Sequence, residues 1–187
     1  MSSRPAGALA LSAALVLPGW SARADEVTIC YNYGCYATAP AEYSEAQLIP
    51  LQQELAAAGD AQTERKAISR VIGRLYAIAG EQTPVWRDRG GNYADGGENG
   101  KMDCIDHATN TSAFLRLLQA RGWLRFHDVL EPLMRRRFFF AEHWGARIRE
   151  RESQDEHVVD SWFFDNGQAA GVYALKDWLS GKTPRVY

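Results

Sequence analysis

The sequence predicts an α+β domain, helices first and an antiparallel sheet after them, and three observations carry that expectation. Apolar residues recur at helical spacing through the first two thirds, where Ile68, Val71, Ile72, Leu75 and Ile78 share one face and Ala108, Thr111, Phe114, Leu115 and Leu118 share another. The last third turns to runs of aromatic and β-branched residues separated by polar turns. The 187 residues are 46% apolar and 24% charged, enough for one hydrophobic core and inconsistent with disorder, a collagen repeat or several domains.

At the start of the chain, Arg4, the apolar run 6–17, the Pro18-Gly19 break and Ala22-Arg23-Ala24 read as a secretory signal cleaved after residue 24. The run is short for a bilayer span, and no cysteine follows it directly to carry a lipid anchor. Cleavage leaves one domain over residues 25–187. Removing Arg4 and Arg23 takes the 21 basic residues to 19 against 23 acidic ones, a charge of −4. The expected setting is periplasmic or secreted, without stable membrane insertion. A net charge of −2 on the whole chain offers no basic field to hold nucleic acid.

Residues 25–43, rich in Tyr, Pro, Ala and Cys without a period, read as a strand or loop pinned by a disulfide. In an oxidising compartment Cys30 and Cys35 are expected to pair across a turn-rich segment, which leaves Cys104 as the free thiol. Ser44 and the acids after it open a short helix, with Pro50 near its start and Gly59 as its stop. Asp60 caps a helix over 61–79, whose Arg65, Lys66, Arg70 and Arg74 form a solvated face, and Gly80 ends it. Residues 83–101, with Gly90, Gly91, Gly96, Gly97 and Gly100, form a long loop expected to line one rim of the Cys104 cleft and to move. The second amphipathic helix follows and stops at Gly122. Strands are expected at 126–130, 137–142, 143–149 and 158–164, then a turn at 165–167. Leu175, Trp178 and Leu179 make the apolar face of a short last helix. Trp144, Trp162, Phe163 and Phe164 read as core and sheet packing.

Cys104 sits where the glycine-rich loop becomes a helix. The unpaired N–H groups and the macrodipole there stabilise an anion, so one position favours a thiolate and supplies donors for a developing oxyanion. A thiol nucleophile also needs a proton carrier held by a third group. His107 lies one turn along the same helix and reads as helix surface or as a group behind the site. His127 has no acid at useful spacing except adjacent Asp128, which points to the opposite face. His143 opens a strand, and a polar turn returns the chain through His157 to Asp160. In a hairpin with an even-numbered turn, paired residues have an odd sum, so His143 and Asp160 share a face, whereas His157 and Asp160 do not. The pattern therefore selects Cys104, His143 and Asp160. A metal site built from Asp103, Cys104, Asp106, His107 and His143 lacks the paired Cys or His spacing of zinc centres, and no cofactor is expected.

The Asp103-Cys104-Ile105-Asp106 stretch, the His143-Trp144-Gly145-Ala146 strand and the Val158-Val159-Asp160 strand resemble, in order and spacing, the transglutaminase-like cysteine peptidase superfamily. The nearest likeness is to the bacterial transglutaminase-like cysteine proteinases of the periplasm. The resemblance covers roughly residues 101–167. It implies a papain/transglutaminase-like core, N-terminal helices packed on a C-terminal antiparallel sheet, with Cys104 as nucleophile, His143 as base and Asp160 as orienting acid. The implied activity is that of an exported cysteine hydrolase, a peptidase or amidase with transamidation as the variant, acting on an amide or ester carbonyl. An open rim suits a polypeptide or cell-wall peptide. Ile105 stands where classical transglutaminases carry an aromatic residue, and no calcium ligand set carries over. A noncatalytic periplasmic binding domain of the same fold is the alternative.

Overall fold

The computed structural model describes residues 24–91, 94–137 and 141–182, so the signal segment falls outside the described residues except for Ala24. Strands β1 (Asp25–Tyr31) and β2 (Ala37–Tyr43) form an antiparallel hairpin of their own. Helices α1 (Glu45–Ala56) and α2 (Ala61–Gln82), a 3-10 turn at Pro84–Arg87 and helix α3 (Cys104–Ala120) follow. Then β3 (His127–Arg137), β4 (Ala141–Glu150), β5 (Glu156–Asp160) and β6 (Gly171–Ala174) build a four-stranded antiparallel sheet in that order, and α4 (Leu175–Leu179) closes the described fold. The α+β class is as expected, but the strands divide into two sheets. No helix among the described residues is long and apolar enough to cross a membrane.

The two helical stripes pack where their periodicity places them. Ile68, Val71, Ile72 and Leu75 of α2 and Phe114, Leu115 and Leu118 of α3 share one core with Ala146, Ile148 and Val159 of the larger sheet and Ile29, Ala41 and Tyr43 of the hairpin. Each buried Leu, Ile, Val or Phe contributes about 1.5–3 kcal/mol through area removed from water.

Several element boundaries differ from expectation. Ser44 caps α1 through a capping box with Gln47, so the helix starts at Glu45 and Pro50 lies inside it. Helix α2 has the expected cap, with Thr63 N–H donating to Asp60 Oδ1 at 2.7 Å. It runs past Gly80 because its stop is Thr83, whose N–H and hydroxyl both bond Ala79 O just before Pro84. Strand β3 continues through Glu131-Pro132 to Arg137: its register shifts between Leu130 and Leu133, and on an edge strand a missing proline N–H is tolerated. Strand β5 ends at Asp160 rather than at 164, since the Trp162 and Phe164 N–H groups turn back to Asp160 Oδ1 and Ser161 O. Strand β6 was not anticipated at all. On α4, Trp178 is buried but Leu179 is 45% exposed.

Three of the four basic residues on the face of α2 are held by acids. Arg65 pairs with Glu150 at 2.7 Å, Arg74 with Glu54 at 3.2 Å, and Arg70 with the same glutamate. Deeper in this helix, Glu64 is fully buried and accepts from the Arg125 and Phe126 N–H groups at 2.6 and 3.0 Å, with His127 Nδ1 at 2.8 Å. That carboxylate joins α2 to the first residue of the large sheet.

Candidate active site

Asp103 is the N-cap of α3: its Oδ1 accepts from the Ile105 and Asp106 N–H groups at 3.0 and 2.9 Å. Cys104 is therefore the first helical residue, half-buried and the only free thiol among the described residues. The Cys104 N–H is one of the donors that a helix start leaves unpaired.

The Cys30–Cys35 disulfide is present as expected. It closes a turn in which Asn32, Tyr33, Gly34 and Cys35 all have φ between 57 and 66°. Left-handed backbone costs non-glycine residues about 1–2 kcal/mol each, so something must repay it. Three successive N–H groups of the turn converge on carboxylates at the start of α3: Tyr33 to Asp106 Oδ2 at 2.8 Å, Gly34 to Asp103 Oδ2 at 3.0 Å and Cys35 to Asp106 Oδ1 at 2.5 Å. Asn110 adds a two-way bond to the Cys30 backbone, at 2.7 and 2.8 Å. The motif acids thus lock the disulfide turn onto the cysteine helix. Burial lifts the Asp106 carboxyl to about 6, helped by the Asp103 charge and opposed by the amides it accepts from.

The glycine-rich loop is tied to the same turn. Asn32 N–H donates to Lys101 O at 2.7 Å, Gly100 N–H to Asn32 Oδ1 at 2.8 Å, and Tyr33 hydroxyl to Asp95 Oδ1 at 2.7 Å. Gly100, at φ +92°, passes so close to Pro84 that a Cβ would lie 2.2 Å from its carbonyl oxygen. At that position glycine serves close packing rather than movement.

His143 and Asp160 meet as the odd-sum rule requires. Ala146 pairs with Val159 across β4 and β5, and one step further sets Asp160 beside Gly145, on the His143 face. His143 Nε2 lies 2.7 Å from Asp160 Oδ2. A carboxylate can only accept, so Nε2 carries the proton and Nδ1 is left for the thiol. The imidazole is 8% exposed and enclosed by the rings of Trp162, Phe163 and Trp178, with centroids 5.2, 5.3 and 5.7 Å away. Trp162 and Phe163 thus wall the histidine rather than only packing the sheet. Burial alone draws the imidazole pKa down, but the side chains and charges of Asp160 and Cys104 outweigh it and raise it to about 9. His143 is thus influenced by Asp160 and by Cys104 together.

A pH dependence follows. Folding raises His143 above its ordinary 6.5, so its contribution to stability is complete below pH 6.5 and lost as pH rises through about 9, at most about 3 kcal/mol. Urea unfolding from pH 6 to 10 is expected to show wild type losing stability relative to His143→Gln over that window. A constant difference between the two would contradict the pairing.

Two of the other three histidines have structural partners. His107 is not on the helix surface: it is 3% exposed, with Nδ1 2.8 Å from Ser161 Oγ and Nε2 2.9 Å from Asp88 Oδ2. Asp88 Oδ1 also accepts from Met102 N–H at 2.8 Å, so His107 fastens the loop and the end of β5 to α3. His127 does have an acid, Glu64 from α2. His157 lies apart on β5, opposite Ile148 and Ala174. Of the five residues considered for a metal, Asp103 and Asp106 are spent on backbone amides and His107 on Asp88 and Ser161. Among the described residues the one clustered ligand set is Cys30, Cys35 and Asp106, whose two sulfurs are bonded to each other. No family model, curated protein or solved structure matches this chain.

Proposed function

We propose that the chain is an exported cysteine hydrolase of transglutaminase-like type, acting on an amide or ester carbonyl. The observation that carries this reading is the His143 imidazole, fixed 2.7 Å from a buried carboxylate and influenced by a free thiol at a helix start. Nucleophilic acyl transfer needs a nucleophile, a proton carrier, an orienting acid and an unpaired N–H, and Cys104, His143, Asp160 and the Cys104 N–H support this reading by being the residue types suited to those roles.

In the proposed cycle the Cys104 proton already resides on His143, and the sulfur attacks the carbonyl carbon as the thiolate of that ion pair. The Cys104 N–H at the start of α3 stabilises the oxyanion. Collapse breaks the bond to the leaving amine or alcohol, which takes the proton from His143, and leaves a thioester on Cys104. Water then gives its proton to His143 and attacks the thioester; the acid leaves as the ion pair is restored. An amine in place of water gives the transamidation variant. Throughout, Asp160 holds the tautomer and steadies the imidazolium.

A small activated ester tests this without knowledge of the natural substrate. With p-nitrophenyl acetate, acid quenching followed by nonreducing peptide mapping is expected to find the acetyl group on the Cys104 peptide. Acetylation confined to lysines or the N-terminus, with Cys104 unmodified, would favour the noncatalytic binding domain.

A further inference from the structure

Asp160 has a second partner on its working oxygen. Oδ2 accepts from Trp178 Nε1–H at 2.8 Å as well as from His143 at 2.7 Å, while Oδ1 takes the Trp162 N–H at 3.3 Å. Three elements combine to deliver that indole. Helix α4 carries Trp178 into the interior, where it is fully buried. On β3, Arg135 lies opposite His143, stacks its guanidinium 4.6 Å from the indole centroid and donates to the Trp178 carbonyl. On β4, position 145 must be glycine, because a Cβ there would come within 3.1 Å of Trp178 Cζ2 and 2.4 Å of a Val158 methyl. A lone carboxylate on a strand end can turn about its Cβ–Cγ bond and exchange oxygens. With an N–H on each oxygen and the imidazole on one, this carboxylate has a single setting.

We propose that Trp178 is a positioning residue: its indole N–H holds the Asp160 carboxylate in the orientation that aims His143 Nδ1 at Cys104. This rests on the hydrolase reading for its purpose, although its geometry does not depend on that reading. Among the described residues, the charged and titratable groups around the His143–Asp160 pair include Cys104 on α3, Arg135 on β3 and Tyr173 on β6.

Trp178→Phe keeps a ring and removes only the donor. The variant is expected to retain the wild-type circular dichroism, to lose about tenfold or more in kcat on p-nitrophenyl acetate with KM little changed, and to move the His143 NMR titration down toward 6.5 as the carboxylate loosens. Unchanged kcat and an unchanged titration would overturn the proposal and leave Trp178 as packing. Should the variant fold poorly, ¹⁵N-labelled wild type decides. The Trp178 indole resonance is expected to titrate with the His143 midpoint, and an indole indifferent to that titration would overturn the proposal. If wild type does not turn over the ester at all, the hydrolase reading fails, while the two titrations still report on Trp178.

Discussion

Replacing Cys104 by serine is expected to lower turnover of p-nitrophenyl acetate by about 10⁴-fold or more, with the Cys30–Cys35 bond and the circular dichroism unchanged. His143→Ala is expected to cost nearly as much, and the double variant little more than either. Residues that act as one unit in acyl transfer are not additive, because removing one member disables the others. Asp160 bonds the same imidazole that responds to Cys104, so the three are expected to lose function together. Two losses that simply multiplied, or a Cys104→Ser variant within tenfold of wild type, would contradict the assignment.

The largest effect on stability is expected at Glu64→Ala, about 3–5 kcal/mol in urea unfolding. Its carboxylate is fully buried and meets two backbone N–H groups and the His127 ring, while Arg65 reaches His127 Nε2 at 3.1 Å from the other side. Burial opposes the charge, yet these partners hold the Glu64 pKa below its ordinary value, so the native state favours the ion. Truncation leaves buried His127 Nδ1 and the part-buried Arg125 and Phe126 N–H groups without their acceptor and frees the start of β3 from α2. A loss below 1 kcal/mol would mean that the cluster contributes little to seating the large sheet on the helices.

What could be read from the sequence was set by neighbours a few residues away. Asp60 caps its helix because a cap needs only the next three residues, and the stripes of α2 and α3 fall on one side by helical geometry alone. The pairing of His143 with Asp160 was legible for the same kind of reason. Strand alternation and the parity of a short turn fix which residues share a face. What could not be read is set by contacts across long stretches of chain. Glu64 lies 63 residues from His127, and no local pattern links them. Asp106 was legible as part of a motif, but not as the acceptor for a left-handed turn 71 residues earlier; its place three residues after an N-cap Asp was the one usable sign. Trp178 read as one apolar residue of a short helix, and nothing local indicated that its N–H would meet Asp160. The misjudged ends of β3 and β5 have the same origin, since a register shift and a returning N–H decide them rather than residue preference.

The described residues near the end of the loop 83–101 are tied to the disulfide turn, Asp95 through Tyr33 and Gly100 and Lys101 through Asn32, and that turn is in turn bonded to the start of α3.

The most direct measurement is the pH dependence of Cys104 alkylation by iodoacetamide in the oxidised protein. Unassisted thiols react in proportion to a thiolate population with a midpoint near 8.5. With a neighbouring imidazolium held by Asp160, labelling at pH 6.5 is expected to run within a few-fold of its rate at pH 8.5, and His143→Ala is expected to restore the steep ordinary profile. A wild-type profile centred near 8.5 and unmoved by His143→Ala would show that Cys104 and His143 do not work as a pair.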